Sequence, residues 1–97
     1  MKKIPLKTLD DPTSPVTIEY AQVLREVVRR PLDPQRGADI AEMRQSLRVL
    51  DALDAANGTL ELEDADYAHL KEKIERMPWN VVDRRLLQMI DDVLGAS

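Results

Sequence analysis

The sequence predicts a mainly α-helical protein, a compact bundle of about four short helices with a short N-terminal arm or two-stranded β-ribbon. Three observations support that fold class. Apolar residues recur at helical spacing in successive segments, each with its own start or stop signal. The chain has no Phe and a single Trp, so its core must come mostly from Leu, Ile, Val, Ala and Met, which suits helix-on-helix packing. Residues 1–16 differ from the rest: Pro5, Pro12 and Pro15 interrupt any helix there, and Asp10, Asp11, Thr13 and Ser14 form turns.

The organisation expected is an N-terminal arm or edge strand over residues 1–16 and one helical domain over 17–97. Ile4, Leu6 and Leu9 line that strand or arm. A first helix is expected over Thr17–Arg30, because Tyr20, Val23, Leu24, Val27 and Val28 share one face and Pro31 ends it. Asp39 with Glu42 is a capping-box pattern and starts a second helix. Ile40, Met43, Leu47, Leu50 and Leu53 continue it at helical spacing, with Arg48 and Asp51 as an i, i+3 pair and Asn57-Gly58 as the stop. Thr59–Glu63 alternates apolar and polar residues and predicts a short strand, pairing with Lys3–Leu9. The third helix is expected over Asp64–Met77, with a seam of Tyr67, Leu70, Ile74 and Met77 and a stop at Pro78. A fourth begins with Asn80 as N-cap, buries Val82, Leu86, Met89, Ile90 and Val93, and stops at Gly95.

Ninety-seven residues suit one domain, able to bury roughly two-thirds of its unfolded surface. With no cysteine, disulfides, thiolate metal sites and thiol chemistry are excluded, which fits a reducing cytoplasm. Lys2 and Lys3 are followed by Pro5, Lys7, Asp10 and Asp11, not by the apolar stretch of a signal peptide, and no run reaches membrane-helix length. The net charge of -4 argues against a dedicated nucleic-acid binder.

Candidate chemistry is sparse. Asp54–Asp64 superficially follows a calcium loop, but with Gly58 at position six, positions one and three fall on Leu53 and Ala55, which cannot ligate calcium. His69, the single histidine, lies off the helix-three seam and reads as a surface residue without a metal-ligand or triad partner. Glu61, Glu63, Asp64 and Asp66 sit near a turn and a helix start, where exposed acids are expected. Trp79 reads as a core lid or, alternatively, as a partner-binding hot spot. Arg25, Arg29, Arg30, Arg36, Arg44 and Arg48 concentrate in the first half, as a solvated face or as a basic stripe. No catalytic residue, metal ligand or cofactor site is assigned.

From about Ile40 onward the chain resembles small proteins encoded in tailed-bacteriophage structural gene clusters. The resemblance rests on Glu42-Met43-Arg44, on Leu62-Glu63-Asp64-Ala65-Asp66-Tyr67, on Met77-Pro78-Trp79, and on Val16-Thr17-Ile18 before the first helix. It spans about two-thirds of the chain, and its motifs are helix starts and ends, not catalytic signatures. It implies a non-enzymatic phage or prophage assembly factor, tail-assembly chaperone-like or a head–tail accessory protein. Such a factor binds other phage structural or tail proteins in the host cytoplasm, with homo-oligomerisation open. The surfaces expected to meet a partner are Ile4, Leu6 and Leu9 in the arm, which can add a strand to a partner sheet, together with Arg25, Arg29, Arg30 and Trp79. The alternative is a small DNA-binding or transcription-modulating phage protein, which requires arginines clustered on one face.

Overall fold

The computed structural model describes residues 1–96. In chain order the elements are β1 (Lys2–Pro5), β2 (Thr8–Leu9), β3 (Ile18–Glu19), α1 (Tyr20–Arg29), α2 (Ile40–Ala55), β4 (Thr59–Leu62), α3 (Asp64–Arg76) and α4 (Arg84–Leu94). Four helices dominate, as expected. Two small two-stranded sheets, β1–β4 and β2–β3, make the architecture mixed α/β and not a purely helical bundle. A Cα radius of gyration of 13.3 Å is that of one compact body at this chain length, about 13 Å for 100 residues.

The ribbon expected between the N-terminal segment and Thr59–Glu63 forms. β1 and β4 pair antiparallel, with Ile4 opposite Leu60 and Lys3 opposite Glu61. Alternation sends Ile4, Leu60 and Leu62 into the core, while Lys3 and Glu61 point outward as an ion pair at 3.8 Å. Helices cover the ribbon, and this burial stabilises a pairing too small to persist alone. Its register continues past the strand: the Leu6 amide donates to the carbonyl of Gly58, whose φ of +82° turns the chain from the end of α2 into β4.

The first helix starts three residues later than its periodicity predicts. Ile18 and Glu19 pair with Leu9 and Thr8 as β3, and the Tyr20 amide donates to the Lys7 carbonyl. Val16, Thr17 and Ile18 are β-branched and suit extended backbone better than a helical first turn. At α2 the Asp39 carboxylate accepts from the Glu42 amide at 2.8 Å, so the N-cap is as expected. The fourth helix is also displaced, with Asp83 and not Asn80 as its N-cap, the Asp83 carboxylate accepting from the Arg85 amide at 2.8 Å. Val81 and Val82 therefore lie outside the helix, and Val82, expected in the core, is fully exposed.

The core joins Tyr20, Leu24, Val27 and Val28 of α1 and Val49 and Leu53 of α2 to Tyr67, Leu70 and Ile74 of α3, and to Met89 and Val93 of α4, around Ile4, Leu60 and Leu62. Two tyrosine hydroxyls hold the end of α4: Tyr67 donates to the Val93 carbonyl at 2.7 Å and Tyr20 to the Asp92 carboxylate at 2.6 Å. Burial, then the hydrogen bond to Asp92 and its charge, push the Tyr20 hydroxyl far above its usual range.

Because Ile4 sits on the ribbon's core face, Ile4→Ala is expected to cost about 2–5 kcal/mol. Urea unfolding followed by circular dichroism measures this. Lys3→Ala on the opposite face is expected to change the unfolding free energy by well under about 1 kcal/mol.

Candidate functional site

α2 turns a different face inward from the one its apolar spacing marks. Ser46, Val49 and Leu53 are buried and Leu50 is half-buried, whereas Ile40, Met43 and Leu47 are 70%, 53% and 51% exposed. The physical reason lies across the interface. α3 runs antiparallel to α2 and brings Lys73 opposite Glu42 and His69 opposite Ser46, one turn apart. Polar partners on α3 make a polar inner face on α2 affordable, and the competing apolar stripe is left outside.

Lys73 is the centre of this seam. Its side chain is 3% exposed and that of Glu42 11%. The ammonium donates to Glu42 Oε2 at 2.7 Å and to the Arg30 carbonyl at 2.6 Å. The same Glu42 oxygen accepts from the Leu32 amide at 3.0 Å. Glu42 therefore does not turn back to close the capping box with Asp39. Burial pushes its carboxyl up, but the hydrogen bonds from Lys73 and Leu32 and the Lys73 charge outweigh burial and hold it below the usual carboxylate range.

His69, expected at the surface, is buried, and its Nε2 lies 2.9 Å from Ser46 Oγ in a hydrogen bond. Burial first, then the Lys73 charge, lower its pKa and favour the neutral ring, against the opposing pull of Glu42, Glu72 and Asp66. A serine hydroxyl against a neutral imidazole is the beginning of a nucleophile–base pair. Here both side chains are buried and each is the other's hydrogen-bond partner. A cleft of about 160 Å³ between the end of α1, the following loop and the end of α3 is lined by Pro31, Leu32, Pro34, Lys73, Met77 and Pro78 among others. It falls below the usual 300–1,000 Å³ of small-molecule sites, and its lysine is already occupied by Glu42 and Arg30.

The residues singled out in the sequence do not converge. Ile4 is fully buried, and Leu6 and Leu9 are half-buried against the core, so the first strand is built into the fold. Arg25 pairs with Asp54 at 2.8 Å, Arg29 is exposed, and the Arg30 carbonyl is held by Lys73. Arg48 turns to Asp66 on α3 at 3.5 Å and not to Asp51. Arg85, not singled out, donates to the Val16 carbonyl at 2.6 Å and pairs with Asp83 at 2.9 Å, tying the 10–17 loop to the start of α4. Trp79 is half-buried, with part of its surface on the core and part beside a shallow groove lined by Val81, Val82, Leu86, Leu87 and Ile90. Of that group Val81, Val82 and Leu87 are 59%, 104% and 58% exposed. No helix among the described residues is long and apolar enough to cross a membrane.

The polar seam sets how stability responds to substitution and to pH. Lys73→Ala leaves the Glu42 carboxylate buried without its counter-charge and is expected to destabilise by about 3–5 kcal/mol. In chemical denaturation Lys73→Met with Glu42→Gln is expected to lose less than the two single changes summed. Burial lowers the pKa of His69 in the fold, so its ring takes up a proton more readily when unfolded. Stability therefore falls as pH drops from about 6.5. Glu42, whose folded pKa is depressed, adds a further loss below about pH 4.5, through its folded value. Thermal melts between pH 8 and 4 read both windows, and His69→Gln is expected to flatten the upper one and leave the lower one in place.

No protein-family model, curated protein or solved structure matches this chain.

Proposed function

We propose that this chain is a non-enzymatic assembly factor that works by binding other proteins, in the manner of the tail-assembly chaperone-like or head–tail accessory proteins of tailed phages that its helix-start motifs resemble. The observation that carries the protein-binding part is the apolar surface of Trp79, Val81, Val82 and Leu87 around the start of α4. Large apolar side chains grouped at one place on the surface are characteristic of interaction sites. A tryptophan anchored on one side and open on the other is a common centre of binding energy. The groove beside it is shallow and apolar with Asp83 and Arg84 at its rim, a form that accepts the apolar face of a partner helix. The partner class, phage structural or tail proteins, comes from the resemblance. The non-enzymatic reading is supported by the way the buried polar groups are used: Lys73, Glu42, Ser46 and His69 are engaged with one another.

The test is capture of co-produced phage tail and head–tail proteins by this chain. Val82→Asp combined with Leu87→Asp changes exposed positions only, so the helical circular-dichroism signal is expected to persist. Retention of the partner is expected to drop at least tenfold. Unchanged retention would remove this surface from the interaction.

A further inference from the structure

A second surface is built to meet a copy of itself. We infer that α2 pairs antiparallel with α2 of a second copy of this chain, across a two-fold axis close to Leu47. Three observations point there. The outward face carries Ile40, Met43 and Leu47, each more than half exposed although the same helix buries Val49 and Leu53. Arg44 and Asp51 are also exposed on this outer side and make no ion pair among the described residues. They are seven residues apart, so they lie within about 20° of one another around the helix.

Opposite charges two turns apart on one face are self-complementary when a second copy runs the other way. With the axis between Leu47 and Arg48, Arg44 of each copy lies across from Asp51 of the other, and Ile40 lies across from the small Ala55. The two Leu47 side chains meet near the axis. This is an isologous contact, in which one patch serves both partners and growth stops at two. A parallel pairing places Arg44 against Arg44 and Asp51 against Asp51 and is disfavoured by like charge.

The 16 residues of α2 span about 24 Å. One helix pair of this length falls short of the roughly 800 Å² per partner of a stable interface, so the dimer is weak and concentration-dependent. The surface is separate in sequence from the Trp79 groove, so the inference does not depend on the proposed function. Val82→Asp with Leu87→Asp is expected to leave self-association intact.

The experiment is sedimentation equilibrium of the full chain from 5 µM to about 1 mM, where micromolar-to-millimolar dissociation constants of weak complexes are read. A monomer–dimer equilibrium is expected, weakened at least tenfold by Leu47→Asp. Arg44→Asp and Asp51→Arg are each expected to weaken it, and the two together to restore it. Because the chain has no cysteine, Leu47→Cys is expected to form a disulfide-linked dimer on mild oxidation. Ile40→Cys is expected not to, since the two Ile40 positions stand about 22 Å apart along the pair. A monomer throughout the range, a dimer indifferent to Leu47→Asp, or Ile40→Cys linking as readily as Leu47→Cys would each overturn the pairing.

Discussion

Lys73 brings an ammonium group into the junction of α1, α2 and α3, and each neighbouring segment answers it with an oxygen. Glu42 supplies a carboxylate from α2 and Arg30 a carbonyl from the end of α1. Glu42 then reaches on to the Leu32 amide, so the turn after α1 is fastened at the same point. A charge this deep is tolerated only when paired and hydrogen-bonded. The pair therefore constrains geometry more than it adds stability: the three segments must arrive in one arrangement for either charge to be satisfied. Much of what distinguishes this fold from a generic helical bundle follows from that requirement.

The first consequence is the orientation of α2. A helix placing Glu42 and Ser46 toward α3 must turn Ile40, Met43 and Leu47 away from it. The apolar residues left outside are thus a by-product of the polar seam inside, and they are the surface inferred to receive a second copy. At the other end of the molecule, the Asp83 cap together with Arg85 starts α4 three residues beyond the first available cap. Val81 and Val82 are thereby left in irregular backbone beside Trp79. Both exposed apolar surfaces arise from polar interactions that fix where a helix begins or which way it faces.

The two surfaces suit a protein whose proposed work is assembly. The self-contact inferred on α2 and the groove proposed beside Trp79 use different residues, so the two proposed contacts do not compete for one patch. The buried Ser46–His69 pair joins α2 to α3 within the seam, and burial of the imidazole, which lowers its pKa, links the seam to pH.

What the sequence determined by itself was local. Asp39 before Glu42, Gly58 after α2, Pro78 after α3 and the alternation of Thr59–Leu62 each act through nearby backbone, so the four helices and β4 were legible, whereas Ile18–Glu19, expected within the first helix, pairs with Thr8–Leu9 as a strand. The pairing of β1 with β4 is expected from the strict alternation of Thr59–Glu63 and from Ile4 in an N-terminal segment free to extend. Tertiary structure decided which face of α2 is buried, since apolar residues occupy more than one side of it and the choice depends on Lys73 and His69, 31 and 23 positions away in the chain. It also buried His69 and assigned the cap of α4 to Asp83, which competes with Asn80 through an arginine that reaches the Val16 carbonyl. Short-range signals mark the start of α2 and the ends of α2 and α3; partners distant in sequence determine where α1 and α4 begin and which side of α2 meets solvent, and the candidate binding surfaces depend on those choices.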